Sequence, residues 1–190
     1  DQALRVIGKL KDEGIYKPQF RATLIHVQNS RPDHISKIKQ IGVIPSYFSS
    51  HVYLWGDWHY QSVFGPERSA FISPAKSAMD AGILFTIHHD SPVTPPDLMT
   101  GVYAAVNRTT RSGMKLGPNE LIPVIDALKA ITINAAYQYQ EEERKGSLKA
   151  GKLGDLVILD QNPLTIAPQK LRDIKVLKTI KEGKTVFKRD

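Results

Sequence analysis

The first ninety residues alternate segments of helical periodicity with short apolar runs, joined by short links. The spacing of apolar residues, and the Gly and Pro residues at their ends, predict helices over 2–13, 32–40 and 74–82. A β-prone run after each of them predicts strands over 22–26, 43–49 and 83–88. This order is typical of parallel βαβ units, and strands that are apolar on both faces suit a sheet buried on both sides. We therefore expect an α/β fold.

The remainder of the chain changes character near residue 146. Helices are predicted over 97–108 and 119–139. Beyond them, glycine punctuates short segments, and residues 176–187 predict a β-hairpin around a Glu-Gly-Lys turn. We therefore divide the chain into an α/β body, residues 1–145, and a small β module, residues 146–190.

Composition limits the chemistry that is open to the chain. Its 190 residues are 41% hydrophobic and 24% charged, the profile of a globular protein. It contains no cysteine, so a metal site would need histidine and carboxylate ligands. The chain begins at Asp1 rather than Met and enters a helix at once, which is the pattern expected of a piece of a longer protein.

The net charge of +7 and a pI near 9.5 raise the question of a nucleic-acid partner. Lysine and arginine are scattered, however, and their densest stretches also contain acidic residues, so a solvated basic surface is the better interpretation. No apolar run approaches the roughly 20 residues that span a bilayer, so no membrane partner is expected. The lack of cysteine fits either redox environment, and we expect a cytoplasmic location.

Three polar residues lie at or just beyond the carboxyl ends of predicted strands: His26, His51 and Asp90. They are 25 and 39 residues apart, which brackets the roughly 31 residues per βα unit of an eight-unit barrel. In such a barrel these strand ends meet on one face, where active sites lie. Imidazole and carboxylate groups brought together there form a reasonable zinc ligand set.

Each of these residues also has a simpler explanation. A single histidine at a strand end is more often a hydrogen-bonded structural residue than a ligand, and an Asp before Ser-Pro is common in turns. His88 would share a face of the strand with Asp90, since alternate residues point the same way. His34 is expected to be solvated early in a helix. His59 is expected to pack within a long aromatic loop, residues 53–64.

Several stretches carry a family likeness. They are Leu24-Ile25-His26-Val27-Gln28, Ser50-His51 with Trp55-Gly56-Asp57-Trp58, Phe85-Thr86-Ile87-His88-His89-Asp90-Ser91-Pro92-Val93, and Gly146-Ser147-Leu148 with Gly151-Lys152-Leu153-Gly154-Asp155-Leu156-Val157. Together they resemble the amidohydrolase superfamily, in particular its YtcJ-like branch. The sequence departs from the usual motifs at Ile25, where Glu is frequent, and at Gly154, where Ala is usual.

The resemblance implies the C-terminal part of a TIM-type (β/α)₈ barrel, about strands six to eight, followed by a β-sandwich portion. It implies that His26 and Asp90 bind the metal, most simply zinc, and that Asp90 is also catalytic. His51, Trp55 and His88 are expected to contact substrate. The family's His-x-His pair is missing from the chain, as are all the ligands of the first five strands.

The resemblance further implies hydrolysis of amide or cyclic amide C–N bonds by metal-activated water, on a small-molecule substrate. The chain alone is expected to be incomplete and weak in metal affinity. It is also expected to associate with itself or with a missing N-terminal part. Two other interpretations remain open: a non-catalytic regulatory or binding protein of this fold, and, on charge alone, a nucleic-acid-binding module. Arg68 and Arg108 are candidates to contact an anionic substrate. The default expectation is that each simply lies on the surface of a helix.

Overall fold

The computed structural model describes all residues from 1 to 190. The helices are α1 Gln2–Asp12, α2 Pro32–Ile41, α3 Ser50–Trp58, α4 Gly65–Ala70, α5 Ala75–Asp80, α6 Leu98–Asn107, α7 Val124–Ala130 and α8 Ile133–Gln138. The strands are β1 Thr23–His26, β2 Ile44–Tyr47, β3 Thr86–Ile87, β4 Leu156–Leu159, β5 Val176–Lys181 and β6 Lys184–Lys188. The predicted α/β class is confirmed. None of the helices is long and apolar enough to cross a membrane.

The first sheet is parallel, with strand order β1-β2-β3. His26 is opposite Tyr47, and Ile87 pairs with Tyr47 from the other side, so the three strands end at one edge. The predicted strands over 22–26 and 43–49 are confirmed with slightly shorter bounds. The third is much shorter than the expected 83–88, because only Thr86 and Ile87 pair with β2.

Helices cover this sheet and bury its apolar side chains. Ile38 of α2 and Val102 of α6 are completely buried in the same core as Tyr47 of β2. The predicted helices over 2–13, 32–40, 74–82 and 97–108 all form, each within a few residues of the expected bounds. The core therefore fixes the strand ends from which the candidate residues project.

The second sheet is antiparallel, with order β4-β5-β6. It contains the predicted hairpin, and β4 adds the third strand. The segment between β4 and β5 forms a 3₁₀ helix, Pro168–Asp173, whose Leu171 is fully buried in the core of the α/β body. The tail is therefore attached to the body through this segment.

Two expectations about helices and loops were wrong. The expected aromatic loop over 53–64 is instead α3 and a π-helical turn, His59–Val63, because nothing interrupts the backbone hydrogen bonds until Gly65-Pro66. The single helix expected over 119–139 is two helices, α7 and α8. They separate at Thr132, whose backbone is not helical (φ −127°, ψ −94°).

Candidate active site

The ends of β1 and β3 bring three of the expected residues together. His26 is the last residue of β1, and His88 and Asp90 follow β3. Nδ1 of His26 lies 3.0 Å from Nε2 of His88. On the opposite side of the His26 ring, Nε2 lies 3.8 Å from Oδ2 of Asp90. The His26 and Asp90 side chains remain 43% and 38% exposed, so the pair faces solvent.

The backbone is in the left-handed region on both sides of this pair. His26 has φ 68°, Val27 has φ 43° and Asp90 has φ 54°. This region is uncommon for residues other than glycine, and it is a marked departure for a β-branched residue such as Val27. Local strain of this kind clusters at functional sites, where the surrounding structure holds it in place.

The arrangement of His26 and Asp90 fits a divalent metal. Two donors of a tetrahedral zinc ion are separated by about 3.4 Å, given bond lengths of roughly 2.0–2.2 Å. The distance of 3.8 Å between Nε2 and Oδ2 needs only a small closure. No third His, Asp or Glu side chain lies close enough to complete a three-ligand group with them. The chain therefore presents two side chains that could serve as metal ligands, without a third beside them.

His88 lies behind His26 and has protein partners for both of its ring nitrogens. Nε2 faces His26, and Nδ1 lies 2.9 Å from the hydroxyl of Ser46, which is 2% exposed in the middle of β2. Burial, and to a smaller extent the neighbouring His26, lower the pKa of His88 to about 4. The ring is therefore neutral near pH 7, with one N–H to donate and one lone pair to accept.

His51, expected at or just beyond the carboxyl end of a strand, lies in the first turn of α3, which follows β2. Its Nδ1 lies 3.1 Å from Nε2 of His59, which is also 3.2 Å from the side-chain amide nitrogen of Gln28. Burial, followed by the charge of His59, lowers the pKa of His51 to about 4. His59 is buried, which agrees with the expectation that it packs.

Aromatic side chains join His51 to the other histidines. The ring of Phe48 lies 5.7 Å from that of His26, 5.3 Å from His88 and 4.5 Å from His51, between centroids. Trp55, one turn along α3, is half-buried against His51 at 4.6 Å and Phe48 at 6.0 Å. Trp55 thus lies at the edge of the same surface as the two candidate ligands.

Two residues of this cluster, Ser46 and Phe48, were missed, as was the contact of Gln28 with His59. Ser46 pairs with Thr86 in the sheet, so register alone would have placed it beside β3. The sequence alone does not give the register of β2 against β3, so it could not identify Ser46. Gln28 and His59 are brought together by the π-helical turn, for which the sequence carries no local signature.

Two other candidates have structural roles. His34 was expected to be solvated, but it is 8% exposed, and its ring nitrogens contact the backbone nitrogen of Arg31 and the carboxylate of Asp1. Asp33 lies beside them, and the side chains of Arg31 and Lys37 hold the pKa of its carboxyl well below its usual range. Because Arg31 and Lys37 already donate hydrogen bonds to the Asp33 carboxylate, the cluster of Asp1, Asp33 and His34 does not resemble a metal site. Arg108, expected on a helix surface, is completely buried.

The family model of the amidohydrolase family matches residues 1–187. The chain belongs to this family. It is 34% identical over 119 residues to an N-substituted formamide deformylase from Arthrobacter pascens, a match that covers 61% of this chain and 21% of the deformylase. It is 27% identical over 128 residues to the putative amidohydrolase YtcJ from Bacillus subtilis, covering 66% of this chain and 24% of YtcJ.

Amidohydrolase-fold structures also resemble the chain in three dimensions. An uncharacterised metal-dependent hydrolase from Pyrococcus horikoshii has a TM-score of 0.72 and 25% identity, over 88% of this chain and 34% of that one. An adenosine deaminase from Xanthomonas campestris with bound zinc has a TM-score of 0.64 and 19% identity, over 94% of this chain and 39% of that one. The chain spans about a fifth to a quarter of the curated relatives just described.

Proposed function

We propose that this chain contributes part of the active site of a metal-dependent hydrolase that cleaves amide or cyclic amide C–N bonds. One observation carries the proposal: His26 and Asp90 converge from two parallel strand ends at a distance that suits two ligands of one metal. Zinc is the metal that best matches a set of imidazole and carboxylate ligands without thiolate.

The placement of these residues supports a specific position in the fold. We propose that β1, β2 and β3 are strands six to eight of a (β/α)₈ barrel, since active-site residues of such barrels lie at the carboxyl ends of strands. Residues 1–145 would then belong to the barrel, and residues 146–190 to a β-sandwich portion. The remaining ligands would come from an N-terminal part that completes the barrel.

His26 and Asp90 would have different roles in this chemistry. When bound, a divalent metal lowers the pKa of a water molecule towards neutrality and so supplies a nucleophile. His26 would hold that metal through Nε2. Asp90 would help to hold it, accept a proton from the attacking water and deliver it to the leaving nitrogen, which is general acid–base catalysis.

Substrate would bind against the surface formed by His51 and Trp55. His51 is neutral near pH 7 and offers one donor or one acceptor to a carbonyl or amide group. Trp55 offers an apolar face beside it. A formamide deformylase among the relatives supports a small amide as the substrate class. For His88, whose nitrogens both face protein partners, contact with substrate stays a prediction.

Metal content tests the proposal directly. Elemental analysis after mild dialysis should find zinc bound to this chain, weakly, and His26→Ala or Asp90→Asn should abolish it. His34→Ala is the matched control, because His34 is also a histidine next to a carboxylate but lies outside the site. Zinc that is retained equally by all three variants would contradict the proposal and favour a non-catalytic binding protein.

A further inference from the structure

His88 occupies a position between the candidate ligand His26 and a buried hydroxyl. The two imidazole rings lie 5.0 Å apart between centroids and are tilted by 36°. Nε2 of His88 is 3.0 Å from Nδ1 of His26, and Nδ1 of His88 is 2.9 Å from the Ser46 hydroxyl. The three groups therefore form one continuous chain of hydrogen bonds that runs from the site into the sheet.

Proton counting allows this chain only two directions, because each neutral imidazole carries a single N–H. In the outward direction, Ser46 donates to His88, and His88 donates to His26. Nε2 of His26 then carries a proton and cannot bind a metal. In the inward direction, His26 donates from Nδ1 to His88, and His88 donates from Nδ1 to Ser46. Nε2 of His26 then presents its lone pair towards Asp90.

The outward direction makes no hydrogen bond between His26 and Asp90. The N–H on Nε2 of His26 would face Asp90 at 3.8 Å, which is too long for a hydrogen bond. The inward direction ends on the Ser46 oxygen, an acceptor at good distance inside the sheet, and the Ser46 hydroxyl hydrogen then points away from His88. Nε2 of His26, which faces Asp90 and solvent, is then unprotonated.

We propose that His88 is a positioning residue that accepts the Nδ1 proton of His26, with Ser46 as the terminal acceptor, and thereby fixes the His26 tautomer that binds metal. The proposal rests on the proposed function, since it assumes that His26 is a ligand. It assigns His88 to the metal ligand rather than to the substrate. Groups that orient a metal-binding histidine in this way commonly change metal affinity by about 10- to 100-fold when they are mutated.

The first test measures zinc affinity by competition with a chromophoric chelator. His88→Leu removes the acceptor and should weaken zinc binding by about 10- to 100-fold. His88→Gln keeps an acceptor oxygen and should recover most of that loss. Ser46→Ala should weaken binding by a smaller factor. Ser49→Ala is the matched control and should leave the affinity unchanged, because Ser49 is 1% exposed close by and its hydroxyl has no partner.

The second test reads the tautomer itself. Nitrogen-15 chemical shifts of the histidine rings, with zinc added, should show His88 protonated at Nδ1 and unprotonated at Nε2, although His88 does not touch the metal. A His88 ring protonated at Nε2 would overturn the inference. Circular dichroism of each variant separates loss of metal from loss of fold, and His88→Gln and Ser46→Ala keep the test valid if His88→Leu does not fold.

The two proposals fail in different ways. If zinc binding requires His26 and Asp90 but is indifferent to His88 and Ser46, the positioning role is wrong and the proposed function stands. If zinc binding is indifferent to His26 and Asp90 as well, the metal site itself is wrong. A wild-type response to His88→Leu together with an Nε2-protonated His88 ring would reject the positioning role.

Discussion

Arg108 is a buried charged side chain that holds several segments together. It is 1% exposed and donates to the carbonyls of Leu116 at 2.9 Å and Ile72 at 2.7 Å, with longer contacts to Ser73 and Ala70. Burial lowers its pKa to about 10, so the guanidinium remains charged at neutral pH. The guanidinium thus satisfies the backbone oxygens of Ile72 and Leu116, which belong to two separate segments of the chain.

Replacing Arg108 should therefore be costly. In Arg108→Met the buried carbonyls lose their donor, and we expect the free energy of unfolding to fall by about 3 kcal/mol. Arg5→Met, at an exposed position in α1, should change it by less than about 0.5 kcal/mol. Denaturant titration of both variants measures the difference. Equal effects would mean that the Arg108 contacts contribute nothing to stability.

The pH dependence of stability follows from His51. Its pKa is about 4 in the folded chain, below the unfolded value near 6.5, so the folded state favours the neutral ring. Between pH 6.5 and 4, His51 binds a proton in the unfolded state but not in the folded state. The contribution of His51 to the free energy of unfolding is therefore complete above pH 6.5 and is lost as the pH falls through 4. The loss should be on the order of 1 kcal/mol, because the ring is only half-buried and solvent screens it.

Denaturant titrations across that pH range, with a chelator present, test the point. The stability of His51→Gln should fall less steeply with acid than that of the wild type. His89→Gln is the control, since His89 lies outside the contact network of His51 and bonds locally to the backbone nitrogen of Ser91. Parallel profiles for wild type and His51→Gln would show that this histidine does not titrate as argued.

The site was predictable in part at the level of single residues. His26 and Asp90 were found because strand ends of a parallel sheet converge, which follows from topology and needs no side-chain detail. The convergence is visible in the structure at 3.8 Å, whereas their role as ligands stays a prediction. Ser46 could not be found in this way, because its partner depends on the register of β2 against β3.

At the scale of elements, Gly56 explains how α3 replaces the expected loop. A Cβ at Gly56 would lie 2.6 Å from Cγ2 of Thr110 and 3.1 Å from Cδ2 of Leu116, so the helix packs closely on the segment after α6. Asp57 then accepts hydrogen bonds from the hydroxyl groups of Thr110, at 2.7 Å, and Ser112, at 2.5 Å. Close packing and these bonds decide the conformation, and neither is visible in local sequence propensity.

Two glycine substitutions separate packing from propensity. Gly56→Ala should lower the free energy of unfolding by about 1–3 kcal/mol, because the new methyl group overlaps Thr110. Gly8→Ala in α1 is the matched change. Its methyl group would meet only Ile41 at an ordinary 3.5 Å, so it should raise stability by up to about 1 kcal/mol. Thermal unfolding of both variants gives the signs, and a stabilising Gly56→Ala would refute the close packing.

At the scale of the whole molecule, the parallel sheet has two open edges. Strand order β1-β2-β3 leaves one side of β1 and one side of β3 without hydrogen-bonded partners. The sequence predicted β1, β2 and the helices α1, α2, α5 and α6 to within a few residues, whereas β3 is shorter than expected. It could not show whether another strand pairs with these edges, since such pairing is not set by the local sequence pattern.

The exposed edges predict self-association, and they differ in how well they are protected. The outer strand β6 of the antiparallel sheet begins and ends with Lys184 and Lys188, and charged edge residues of this kind discourage pairing. β1 carries no lysine and exposes Ile25 at 58%. An unprotected strand edge is a template for another strand, so we expect association through β1 rather than β6.

Light scattering over a range of concentrations tests this expectation. The wild-type chain should form dimers or larger species as its concentration rises, and Ile25→Lys should shift it towards monomer. Val186→Lys, at a position 61% exposed in β6, should leave the association unchanged. If Val186→Lys dissociates the chain instead, the hairpin is the contact surface. A wild-type chain that remains a monodisperse monomer at high concentration would mean that the open edges are tolerated in water, and that they are no signal of a missing partner.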